Sequence, residues 1–178
     1  MAAVCAARVA VFVRRGTDAA TAAEKGKALE DLICYIFETV PGISVTQRNT
    51  LNTFDTEEID VAFWNERRYD GLPFLADIIL VECKNWSAPV SSQEVAWFDR
   101  KLADRGMGFG VLIAANGITG NGQDRTAAHS VIAGALRERR QIVVVTLQEI
   151  EGLAHSRDLV ALIKKKLCQL AVAGSLFY

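Results

Sequence analysis

The sequence predicts an α/β sandwich, in which a central mixed sheet is flanked by helices. Three observations carry that prediction. Apolar residues recur at helical spacing in some stretches and alternate in others. One run near the middle is apolar on both faces, as in a central strand. Helical patterns then separate the later strands, and such crossovers imply parallel pairs. The elements read in the order helix, three strands, helix, strand, helix, strand, helix.

The first sixteen residues hold an apolar run only from Val9 to Val13, bracketed by Arg8 and Arg14-Arg15. That run is short for a signal peptide and is read as a tail or first strand. A helix is predicted over Ala22 to Val40. Thr21 and Glu24 form a capping-box pattern, Leu29, Leu32, Ile33, Ile36, Phe37 and Val40 make an apolar stripe, and Pro41-Gly42 ends it. Strands follow over Ile43 to Leu51, Glu58 to Asn65 and Asp77 to Lys84. In the second, Ile59, Val61 and Phe63 alternate with Asp60, Ala62 and Trp64; in the third, alternation puts Glu82 and Lys84 on one face. A second capping box, Ser91 to Glu94, opens a helix with Val95, Phe98 and Leu102 inward. A strand over Gly108 to Ala115, a helix over Gln123 to Arg139, a strand over Gln141 to Leu147 and a helix over Asp158 to Val172 complete the chain.

Composition narrows the function classes. The chain of 178 residues is 51% hydrophobic and 23% charged, ordinary for one soluble domain in the cytoplasm. No segment approaches the roughly 18 apolar residues of a membrane span. A net charge of -1 excludes nucleic-acid binding by bulk charge, though not by a local cleft. Cys5, Cys34, Cys83 and Cys168 lack metal-site spacing and read as four buried thiols. Basic groups around Arg100-Lys101 and Arg105, Arg137 to Arg140, and Lys164 to Lys166 read as solvated helix faces.

Chemistry is concentrated where Glu82-Cys83-Lys84 ends the apolar run Ile78 to Val81, which should be buried. A hairpin through Asp70-Gly71 would bring Asp60 beside Glu82. Two carboxylates forced together repel, and a divalent cation resolves the conflict. Oxygen ligands of this kind suit Mg2+, with Mn2+ able to substitute, and the backbone carbonyl of Cys83 offers a further ligand. Lys84 then points its ammonium into the same pocket, to hold an attacking water or offset charge on a phosphate. Glu30, at the edge of the first helix's apolar stripe, can aim a carboxylate at the site as support or as ligand to a second cation, and Gly26 leaves room for a phosphate strand. Hydrolysis of a phosphodiester uses all these groups.

At these residues the chain resembles the PD-(D/E)xK nuclease superfamily and, within it, the Mrr-like restriction endonucleases. The resemblance runs from about Glu24 to Ile118 and rests on Gly26-Lys27-Ala28-Leu29-Glu30, Ile59-Asp60-Val61, Val81-Glu82-Cys83-Lys84 and Gln93. It implies a restriction-endonuclease-like three-layer sandwich with core order αβββαβ. It further implies metal binding by Asp60 and Glu82, assistance to the attacking water by Lys84, and support from Glu30 and from Gln93 at the start of the next helix. Gly26, Lys27, Asn85 and Trp86 would lie toward DNA. The resemblance also implies a role in restriction or defence. Residues 1–178 then form one nuclease domain, with 1–18 a tail or strand, 20–118 the catalytic core and 119–178 a completing helix-strand-helix. Cutting both strands of DNA calls for a homodimer, and a separate specificity subunit remains open because no reader module is visible. The alternatives are a Holliday-junction-resolvase-like or RNA-directed nuclease of the same fold, a catalytically silent DNA-binding module, and a partner-binding protein unconnected with nucleic acid.

Other features carry less. Gly106 to Gly110 precedes a strand, the reverse of a phosphate loop, and Gly117 to Gly122 reads as a plain loop. His129 and His155 have no ligand partner at usable spacing and read as structural; Trp86 and Trp97 read as core.

Overall fold

In the computed structural model, residues 2–51, 57–85, 87–120 and 128–174 are described. A five-stranded sheet has strands in sequence order, β1 (Ile43–Leu51), β2 (Glu58–Asn65), β3 (Ile78–Lys84), β4 (Phe109–Ala114) and β5 (Gln141–Val145). The first two pairings are antiparallel and the last two parallel, so the sheet is mixed, as expected.

Helices α1 (Ala6–Thr17), α2 (Ala22–Glu38), α3 (Ser92–Asp104), α4 (Ala128–Arg137), α5 (Leu147–Glu151) and α6 (Ser156–Ala173) make the outer layers. Leu29, Leu32, Ile33, Ile36 and Phe37 of α2 pack on Val61, Phe63, Ile79, Val81, Val111 and Val143 in one core. Val95, Phe98 and Leu102 of α3 and Ile132 of α4 pack on Leu80, Leu112 and Val144 in the other. Both crossover helices therefore share a face, as right-handed connections stepping in one direction require. α6 contributes Leu159 and Ile163 to the first core and Leu170 to the second, so it passes the open edge of β5 and shields it. At Gly110 a Cβ would come within 2.7 Å of Phe98 Cζ and 2.8 Å of a Leu102 methyl. That glycine serves the seating of α3 on β4. Among the described residues, no helix is long and apolar enough to cross a membrane.

Two elements differ from expectation. The N-terminal tail or strand of residues 1–18 is instead the helix α1. Val9, Phe12, Val13 and Gly16 recur at helical spacing, and Val9 and Gly16 are buried. Its start carries no side-chain cap, so the usual N-terminal signature is missing. Likewise the last strand stops at Val145, and Thr146 with Glu149 forms a capping box for the short α5. The predicted start of α4 at Gln123 lies outside the described residues, as does Trp86. All four cysteines are free; Cys34 and Cys83 are buried, but Cys5 and Cys168 are exposed rather than buried. Trp97 is 61% exposed and so is not core; its neighbour Phe98 takes the inward position.

Candidate active site

The site starts with a break in the sheet. β2 and β3 pair from Trp64↔Ile78 to Val61↔Val81, and the ladder ends there. On the other side of β2, the register with β1 shifts between Val45 and Gln47, the paired residues then pass over Asn49 and Asp60, and Asn49 takes a left-handed φ of 47°. Beyond this irregularity Ile59 lies in the α3-side core, whereas strict alternation would keep it with Val61 and Phe63. The Asp60 side chain occupies the place of the next ladder bond: its Oδ2 accepts a hydrogen bond from the Cys83 N–H at 2.6 Å. In an antiparallel pair a residue directs its N–H and C=O to the same neighbour, so the Cys83 carbonyl faces this gap too. The β2–β3 connection is fixed by the buried Asn65, whose amide donates to the Leu72 and Ala76 carbonyls at 2.9 and 3.0 Å.

Glu82 and Lys84 project together from β3 toward α3. Glu82 is only 2% exposed. Lys84 Nζ lies 3.0 Å from Glu82 Oε1 and 3.2 Å from Glu94 Oε2. Lys101 of α3 donates to both oxygens of Glu82, at 2.9 and 2.8 Å. Glu94 thus has a use beyond the one its sequence pattern suggests. Ser91 still caps the Glu94 N–H, but the Glu94 carboxylate turns to Lys84 and leaves that box half made.

The electrostatics separate the roles. Burial pushes the Asp60 carboxyl up to about 7, and the nearby Glu82 charge adds to it; the Cys83 N–H, Lys84 and Lys101 only partly offset this. For Lys84, burial opposes the charge, but Glu82 and Glu94 outweigh it and raise the pKa. Lys84 is therefore an ammonium at neutral pH, a donor and positive charge rather than a base. Burial also drives the Cys83 thiol well up, with Asp60, Glu30 and Glu82 contributing in that order. It is not a nucleophile.

Asp60, Glu82 and Lys84 are thus brought together, as the spacing predicts. Glu30 is near enough for Cys83 to sense its charge, but its carboxylate is bound to Arg48 of β1 at 3.2 Å. Arg48 also holds Asp31, at 2.8 Å. Gln93, in the first turn of α3, is exposed, and its side chain makes no hydrogen bond to another described residue. Gly26 sits one turn before Glu30 and is partly exposed; the exposed Lys27 lies 3.7 Å from Asp31. The Asn85 amide donates to the Lys25 carbonyl at 2.9 Å, which ties the end of β3 to the first turn of α2.

Sequence reasoning missed Glu94 and Lys101, and it read Lys101 and Arg105 as solvated. Arg105 in fact binds Glu57 at 2.9 Å. A signal existed: Glu94, Phe98, Lys101 and Arg105 recur at helical spacing, so charge lies on the face that carries the inward phenylalanine.

The donor set suits a small divalent cation. Among the described residues no group of three or more His, Cys, Asp and Glu is gathered for a metal. Two carboxylates and a backbone carbonyl match what Mg2+ accepts, since it retains waters and takes phosphate oxygens. No curated protein matches the chain. A family model for the Mrr catalytic domain, described as restriction endonuclease, does match, over residues 21–153. That span covers well over half of the chain and contains Glu30, Asp60, Glu82, Lys84, Gln93 and Lys101. The α/β fold agrees with it, and the protein belongs to the Mrr-type restriction endonuclease family of nucleases.

Proposed function

We propose that the protein is a Mg2+-dependent endonuclease that hydrolyses DNA phosphodiester bonds, acting in the cytoplasm in restriction of foreign DNA. The observation that carries this reading is the meeting of two carboxylates, the half-buried Asp60 and the buried Glu82, where β2 and β3 part, beside the Lys84 ammonium. Asp60, Glu82 and the Cys83 carbonyl would hold the cation, and Mn2+ would substitute. When bound, Mg2+ supplies positive charge that polarises the scissile phosphate. Lys84 stays protonated and donates to the attacking water or to a phosphate oxygen. Glu94 fixes the Lys84 ammonium, so the donor is positioned before substrate arrives.

A supporting role for Glu30, or one as a second cation's ligand, would require it to leave the Arg48 guanidinium that holds it. Gln93, Gly26, Lys27 and Asn85 border the approach for DNA. Cleavage of both strands calls for a homodimer, and target choice is left to a surface of this chain or to a specificity subunit.

The test is incubation with supercoiled plasmid and Mg2+ or Mn2+, repeated with Asp60→Asn and Lys84→Met. Cleavage by the wild type and loss in both variants is expected. Cleavage that survives both substitutions would remove the assigned site. Methylated, branched and RNA substrates in parallel separate a restriction enzyme from a resolvase or ribonuclease, and binding without cleavage would leave a silent DNA-binding module.

A further inference from the structure

Lys101 makes the closest charged contact to Glu82, yet it lies on a different element and outside the Glu-x-Lys pattern. Its side chain is 11% exposed. Its ammonium bridges both carboxylate oxygens of Glu82, whereas Lys84, 3.0 Å from Oε1, is shared with Glu94. Glu82 therefore faces two positive charges. Both of its oxygens are engaged by the one lysine whose retention is not required by the Glu-x-Lys chemistry.

We propose that Lys101 is the latch of the metal site: it bridges both oxygens of Glu82, competes with a divalent cation for that carboxylate, and so sets the metal affinity. The proposal rests on the reading of Asp60 and Glu82 as the metal-binding pair. Three physical points support it. An ammonium bridging both oxygens occupies the shared edge of the carboxylate, and with Lys84 on Oε1 it leaves few of the roughly four lone-pair sites for a cation. A divalent ion placed beside Asp60 and Glu82 would repel the Lys101 ammonium at contact distance. The flexible four-carbon stem of a lysine lets the ammonium leave while α3 keeps its place.

The latch also has a use. Before a cation arrives, Lys101 compensates a carboxylate that is almost wholly buried, and without such a partner that burial would be costly. Lys101 is a positioning residue, since it acts through Glu82.

The experiment is direct titration of Mn2+ by electron paramagnetic resonance, with no DNA present, on wild type, Asp60→Asn, Lys101→Met and Lys101→Gln. Lys84 remains on Glu82 in the Lys101 variants, so neither buries a bare charge. Both Lys101 variants should bind Mn2+ about tenfold more tightly, which is about 1.4 kcal/mol. Asp60→Asn should lose binding. Equal or weaker affinity in folded Lys101 variants, with binding lost in Asp60→Asn, overturns the latch and leaves the metal site standing. Undiminished binding in Asp60→Asn overturns the metal-site reading, and the latch with it. A second measurement needs no variant: amine-reactive footprinting of the wild type should find Lys101 more reactive when Mn2+ is present. Unchanged reactivity at saturating Mn2+ also overturns the proposal.

Discussion

Arg48 on β1 faces Asp31 and Glu30 of α2, while Glu82 on β3 faces Lys84 and, from α3, Lys101. Both clusters put three charges in partly or wholly buried ground, on opposite faces of one sheet. The first is self-consistent. Burial works against the Asp31 charge, but Arg48 outweighs it and holds that carboxyl below its usual range. The second is left in conflict: Asp60 stands beside Glu82 with its own carboxyl pushed up to about 7 by burial and by that neighbour. A structural ion cluster stabilises its acids as anions. A site awaiting a cation leaves one of them strained, and the direction of the shift tells the two apart.

The largest effect expected from this contrast is on catalysis. Asp60→Asn and Lys84→Met should each slow plasmid cleavage by roughly 10²–10³-fold, the usual cost of one preorganised charge-stabilising group. Asp31→Asn keeps an oxygen for Arg48 and should leave the cleavage rate little changed. Single-turnover assays at saturating Mg2+ make the comparison. Equal losses at positions 31 and 60 would erase the distinction between the clusters.

Stability should respond in the reverse sense. Arg48→Met takes the guanidinium from Glu30, at 12% side-chain exposure, and leaves Asp31 only the more exposed Arg15 and Lys27. The cost should be about 1–3 kcal/mol in urea unfolding at pH 7, the penalty for partners left unsatisfied. An unchanged midpoint would mean that solvent already screens this cluster.

Much of this arrangement was legible in the chain. Alternation from Ile78 to Lys84 located the site strand, and the abrupt change from Val81 to Glu82 marked the chemistry, because a buried run has no structural need of such a charge. The Thr21–Glu24 box and the α2 stripe fixed the first core helix; both of the box's hydrogen bonds are present. What stayed hidden depends on contacts between distant elements. Nothing local says that Glu94 abandons its cap for Lys84, or that Lys101 turns inward while Arg100 stays in solvent. Arg48 offered no pattern either, since its partners lie on α2, across a loop. α1 was missed because its apolar run is short and uncapped, and its Gly16 resembles a helix end until Asn85 and Ala28 are seen packed against it.

The smallest effect is also the sharpest test of the strain at Asp60. In the unfolded chain this carboxyl ionises near 3.8, and in the folded protein near 7. Below the lower value both states hold the proton and the site costs nothing. Between the two, the folded state retains a proton that the unfolded state has released, so stability falls as pH rises; above about 7 the penalty is constant. Asparagine cannot ionise, and its carbonyl can still accept from the Cys83 N–H. Asp60→Asn should therefore match wild type near pH 4, gain stability through pH 5 and 6, and level off above 7 at about 1–2 kcal/mol. That figure is well below the full conversion of the shift, because the site can relax and admit water. Urea unfolding in a metal chelator across this range reads the curve directly. If the variant is no more stable than wild type at pH 8, Asp60 carries no strain. If it gains as stated while losing cleavage, the same carboxylate weakens the fold and serves the reaction, as expected of a group held in place for a cation.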